Sequence, residues 1–174
     1  MSLLSLSAAL ALTVQGTAPF EVKFLEMLFK EIENEEPANP ALLIDAAELC
    51  QQMLSSDEQI AIPSDWRSLI EDEPSFLFQR GGVLLINLEE DEETHANCMI
   101  LSKPASQEAI EEAFFMRFET SAAKPVEMGA LKLPGVSLSD ATYDYEFVYP
   151  AFDLSATSPM KDGLILGISY KVAN

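Results

Sequence analysis

From Leu4 to Val14 the chain alternates, with Leu4, Leu6, Ala8, Leu10, Leu12 and Val14 set against Ser5, Ser7, Ala9, Ala11, Thr13 and Gln15. That period of two predicts a half-buried strand, although the alanines also suit a helix. Beyond Gly16 the period lengthens. Phe20, Phe24, Leu28 and Ile32 recur at helical spacing, Leu25 and Phe29 widen the stripe, and Glu21, Lys23, Glu26 and Lys30 fall mostly elsewhere. Thr17–Glu33 therefore predicts an amphipathic helix. Asn39 followed by Pro40 reads as an N-cap and a proline in the first helical position, opening a second helix with Leu42, Leu43, Leu49, Met53 and Leu54. Ser64 is placed to cap a short third helix, Asp65–Glu71, which holds the only tryptophan, Trp66.

The period then returns to two. Ser75–Gln79 and Val83–Leu88 flank Arg80-Gly81-Gly82, where glycine tolerates the positive φ of a tight hairpin turn. Asn97–Leu101 predicts a further strand after the acidic turn Glu89–Glu93. Ser106 starts a helix through Phe118, with Glu108 near its positive end and Ile110, Ala113, Phe114, Met116 and Phe118 apolar. Pro125, Pro134 and Gly135 punctuate a looser stretch with a short strand near Ala130–Leu133. Tyr143, Tyr145, Phe147 and Tyr149 alternate with Asp144, Glu146 and Val148, and Leu164–Val172 alternates again as a closing strand. Short connections force antiparallel neighbours, so the pattern predicts an α+β fold, a mainly antiparallel sheet with helices packed on it. One domain over residues 1–174 is expected, helical from about 17 to 72 and strand-rich from about 75 to 174.

Composition narrows the function classes. The 174 residues are 48% hydrophobic and carry ten Phe, four Tyr and one Trp, which excludes an acidic disordered chain. Ten Lys and Arg stand against 29 Asp and Glu, for a formal net charge of −19. Such a surface repels nucleic acid and anionic lipid. The acids are spread, 14 in residues 1–87 and 15 in residues 88–174, so the charge belongs to the whole domain and not to a tail. Leu3–Val14 is apolar, but no Lys or Arg precedes it and serines interrupt it, so it is not read as a secretory signal. Cys50 and Cys98 are expected as two buried, reduced thiols, and the protein as cytoplasmic, with no membrane span.

Catalytic apparatus is scarce. Gly-x-Ser-x-Gly, Gly-x-Gly-x-x-Gly and Gly-Lys-Ser/Thr phosphate-loop motifs are missing from the sequence. The single histidine, His95, lies with Glu92, Glu93 and Cys98 in one short stretch, but one His-x-x-Cys without a second pair reads as a solvated turn, and no metal or other cofactor is assigned. Glu89, Glu90, Asp91, Glu92 and Glu93 lack the spacing and internal glycine of a calcium loop. They are expected instead to face a basic partner. Glu31, Glu33, Glu35 and Glu36, at a helix end where acids oppose the dipole, read as solubilising charge or as a second such surface. The methionines Met27, Met53, Met99, Met116 and Met128 are expected to fill core gaps. Tyr143, Tyr145, Phe147 and Tyr149, with Leu85, form the apolar candidate surface, which binds a partner if exposed and is core if not.

The hairpin Phe76–Asn87, the helix Gln107–Phe118 and the strands around Val136–Leu138 and Tyr143–Tyr149 give a run helix–strand–strand–strand–helix–strand–strand from Asp65 to about Tyr149. In that order, and in its acidity, the chain resembles the class I type III secretion chaperones, the Tir-chaperone and Yop-chaperone family. It differs in its added N-terminal strand and helices and in closing on a strand. The resemblance implies a homodimer that holds an unfolded segment of a secreted protein, and it carries over no residue roles. The expected function is a non-enzymatic protein-binding domain whose partner offers an apolar or basic segment, without nucleic acid or membrane. The alternatives are an acidic inhibitor or immunity-type protein covering a basic partner, and a small enzyme or metal protein centred on His95.

Overall fold

Three helices and eight strands form among the residues that the computed structural model describes, namely 18–56, 60–70, 77–88, 97–128, 133–149 and 157–171. The helices are α1 (Ala18–Glu31), α2 (Pro40–Ser55) and α3 (Gln107–Phe118). The strands are β1 (Arg67–Ser68), β2 (Leu77–Arg80), β3 (Val83–Leu88), β4 (Asn97–Ser102), β5 (Lys124–Met128), β6 (Leu133–Ser139), β7 (Tyr143–Val148) and β8 (Leu164–Tyr170). All pair antiparallel in one sheet of order β1-β2-β3-β4-β8-β7-β6-β5. The expected α+β fold is therefore the fold observed.

The sheet is two four-stranded meanders joined side by side where β4 meets β8. Following the pairing across the sheet, β5 runs in the same direction as β4 although it lies at the far edge, so the chain needs a crossover between them, and α3 supplies it. One sheet face is covered along both meanders. There α2 and α3 bury Leu43, Leu49, Ile110 and Phe114 against Val83, Leu85, Cys98, Ile100, Leu164, Leu166 and the aromatic side of β7. On the opposite face α1 sets Phe24, Leu25, Leu28, Phe29 and Ile32 against Leu77, Leu84, Ile86 and Leu101.

Local chemistry accounts for the element ends. Asn39 Oδ1 accepts the Leu42 N–H at 2.9 Å, and Ser106 Oγ accepts that of Ala109, so both expected caps form. The start of α2 is also tied to the end of β4, because the Ala38 N–H donates to the Lys103 carbonyl at 2.7 Å. In the β2–β3 turn only Gly81 has positive φ, at 52°. Gly82 is required for a different reason: a Cβ there would sit 2.4 Å from the Glu36 carbonyl oxygen.

Several expectations are corrected. Asp65–Glu71 was to be a helix, but the Trp66 N–H closes a turn onto Pro63, and Arg67 and Ser68 pair with Gln79 and Phe78 of β2. Strand pairing, aided by a hydrogen bond from the Arg67 guanidinium to Gln79 Oε1 at 2.6 Å, prevails over helical spacing. Where one short strand was expected near Ala130–Leu133, β5 and β6 form a hairpin whose register includes Pro125, Pro134 and Gly135; residues 130–132 lie outside the described ones. Proline is tolerated in β5 because β5 is an edge strand. The two cysteines are not reduced thiols: Cys50 of α2 and Cys98 of β4 form a disulfide. Met27 and Met116 are exposed, and do not fill the core. The N-terminal alternation Leu4–Val14 lies outside the described residues, as does Val172. No described helix is long and apolar enough to cross a membrane.

Candidate functional site

The alternation in β7 sends two chemistries to opposite faces. Tyr143, Tyr145 and Phe147 point to the α2–α3 side, where Phe114 meets Tyr145 and Phe147 edge-on at centroid distances of 6.0 and 5.0 Å and Phe118 stacks on Tyr145 at 5.3 Å. Tyr145 and Phe147 are fully buried, as is Leu85, and Tyr143 and Tyr149 nearly so. Of the two alternatives for Leu85, Tyr143, Tyr145, Phe147 and Tyr149, the core is the one observed and the partner-binding one is corrected: they lie beneath α2 and α3, where the helices supply the aromatic partners that an open surface would have needed from another protein.

Their hydroxyls are satisfied internally. Gln51 Nε2 donates to Tyr145 Oη at 2.7 Å, and Tyr145 in turn donates to Asp140 Oδ2. Asp140 Oδ1 accepts the N–H groups of Thr142 and Tyr143, at 2.6 and 2.7 Å, which fixes the β6–β7 turn. Tyr149 donates to Glu111 Oε1 at 3.1 Å. Burial first, and then the neighbouring carboxylate, pushes the phenols of Tyr145 and Tyr149 far above their ordinary range. This network joins the end of α2 to the sheet.

The other face of the second meander is different. The cluster under α1 draws on β2, β3, β4 and Ile165 of β8, and takes no side chain from β5, β6 or β7 among the described residues. Cross-strand register places Met99, Gly167, Glu146, Ser137 and Lys124 in one row over β4, β8, β7, β6 and β5. A second row holds Ser169, Asp144 and Ser139, and a third holds Ile165, Val148, Gly135 and Val126. Above Gly167 there is open space, since a Cβ built there meets nothing within 4 Å.

Asp144 and Glu146 dominate this face electrostatically. The Ser139 hydroxyl donates to Asp144, and Lys171 Nζ lies 3.9 Å from it, although Lys171 also donates to the Asp140 carbonyl. Glu146 has no cationic partner among the described residues. Partial burial, and secondarily the charge of Asp144, holds its carboxyl above the usual carboxylate range. The arrangement is an acid pair in a hydroxyl-lined, partly apolar setting, which gains whenever a cationic or hydrogen-bond-donating group settles on it.

Nothing matches. Neither a family model, nor a curated protein, nor a solved structure is similar to this chain.

Glu89, Glu90, Asp91, Glu92, Glu93 and His95 lie outside the described residues. Glu31, the last residue of α1, and Glu33, Glu35 and Glu36 beyond it are exposed. Among the described residues no group of three His, Cys, Asp or Glu side chains is placed to hold a metal ion. Sequence reasoning passed over Asp144, Glu146 and Gly167. The signal was present in the alternation of β7 itself, whose acids share a face whenever its aromatics share the other.

Proposed function

We propose that this chain is a non-enzymatic protein-binding domain that receives a basic segment of a partner on the face formed by β8, β7 and β6 around Glu146. The observation carrying this reading is the half-open face over Gly167, with two adjacent carboxylates, in a protein of net charge −19. A lysine or arginine arriving there meets an acid already partly desolvated and lacking a cation, and the protein's field speeds its approach. A basic partner is the class expected from the acidity; its seat is here the carboxylate side of β7, whereas the sequence pointed to Glu89–Glu93, which lie outside the described residues.

Titrating a lysine-rich amphipathic peptide into the full chain by calorimetry tests this reading. Binding should weaken by about tenfold or more in Asp144→Asn/Glu146→Gln, and also with added salt. Equal affinity in the variant and the parent contradicts it.

A second reading rests on element order: β2-β3-β4-α3-β5-β6 keeps three strands, a helix and a strand pair of the run that resembles secretion chaperones, while β1 stands where that run opens with a helix at Asp65. On that reading the chain is a homodimer holding an unfolded segment of a secreted protein. Light scattering that finds only monomer at micromolar concentration removes it.

A further inference from the structure

The chain has two cysteines, and the fold spends both on each other. Cys50 lies in the C-terminal half of α2 and Cys98 in the centre of the sheet, 48 residues apart in sequence, with Cα atoms 5.7 Å apart. Both are fully buried within the cluster that includes Ile100, Phe114, Tyr145 and Ile168. That separation lies in the ordinary range for a bridge, so no backbone movement is needed to close it. The next residue after Cys50 is Gln51, which holds the hydroxyl of Tyr145 and accepts that of Tyr143 through its carbonyl. The bond therefore secures the part of α2 that organises the aromatic layer over the second meander.

We propose that the Cys50–Cys98 disulfide is a structural clamp, closed in the working protein, and that the chain folds and acts in an oxidising compartment. In the reducing cytoplasm such a pair would be held as thiols. Closure removes two protons and two electrons from Cys50 and Cys98. A disulfide-carrying thiol oxidant takes them up, its own S–S bond breaking to two thiols as the new one forms. Once α2 is seated, the bond is out of reach of a soluble reductant unless the helix lifts. The inference is independent of the proposed basic partner, and it separates this protein from a chaperone that works beside a reducing thiol pool.

The test is a thiol count on the full chain taken from its native source. Cells are quenched in acid and dissolved directly in denaturant containing N-ethylmaleimide, so that buried thiols are labelled as well; excess reagent is removed, and a second, heavier maleimide is added after reduction. The expected result is no light label and two heavy labels. A light label on either cysteine overturns the compartment assignment. The clamp itself is read from melting: the chain reduced in denaturant and returned to buffer with reductant should melt roughly 5–15 °C below the oxidised chain, or fail to refold. An unchanged midpoint overturns the clamp.

Discussion

The two meanders are built from the same number of strands and share one continuous sheet, yet they differ in what their second face meets. In β3 and β4, Leu84, Ile86 and Leu101 are buried under α1 while Val83, Leu85 and Ile100 are buried under α2, so both faces are apolar. In β7 and β8 one face carries Tyr145, Phe147, Leu164 and Leu166, and the other carries Asp144, Glu146, Gly167 and Ser169 beside the buried Val148 and the partly buried Ile165. A strand covered on both sides reads as a continuous apolar run, and a strand covered on one side reads as alternation. The difference is visible in VLLINL against YDYEFV. Among the described residues, helices cover the first meander on both faces and the second on one.

The largest expected effect comes from emptying the α1 side of each half in turn. Leu84→Ala should cost about 2–5 kcal/mol, since the side chain is fully buried between α1 and the sheet. Val126→Ala, on the same face but in the partly open half, should cost less than about 1 kcal/mol. Urea denaturation of the two variants checks this, and similar losses would mean that the second meander is as covered as the first.

Two glycines sharpen the same contrast with opposite signs. Gly82→Ala should destabilise by about 1–3 kcal/mol, because its Cβ meets the fixed carbonyl of Glu36. Gly167→Ala should stabilise by about 0.4–1 kcal/mol, because open space awaits its methyl group and the substitution restricts the unfolded chain. Denaturant midpoints of both variants read the difference directly.

A smaller effect is electrostatic. The folded state raises the pKa of Glu146, first through burial and then through Asp144, so the folded state holds that proton more tightly than the unfolded chain. Stability contributed at this site is accordingly greatest at low pH. It declines as pH rises from the ordinary carboxylate range through the raised folded pKa, and is level above that. Glu146→Gln should therefore match the parent near pH 4 and exceed it in stability near pH 7. A variant less stable than the parent at neutral pH would show that the carboxylate is already compensated.

Much of this fold was legible in the chain. The stripe of α1, the Asn39-Pro40 start of α2, the Ser106 cap and the alternation of β7 and β8 all appear as read, because each is decided by local pattern and capping chemistry. The illegible parts depend on contacts distant in sequence. Trp66, Leu69 and Ile70 have helical spacing, but β2 was available as a strand partner and captured Arg67 and Ser68. Pro125 and Pro134 hid the β5–β6 hairpin, since a proline looks like a break in one dimension; Pro125 is tolerated at the sheet edge, and Pro134 sits next to the start of β6. Which side of the tyrosine strand faced the core was decided by the rings of Phe114 and Phe118 on α3. The cysteine pairing joins a helix and a strand that only the three-dimensional fold brings together.

The central claim is that the α1 side of the second meander is the binding face, and amide chemical-shift mapping tests it most directly. When the lysine-rich peptide is titrated into isotopically labelled full chain, the account predicts shifts concentrated at Ser137, Asp144, Glu146, Gly167 and Ser169, and their loss in Asp144→Asn/Glu146→Gln. Shifts concentrated instead at Glu31–Glu36, or spread evenly over the acidic surface, would contradict it.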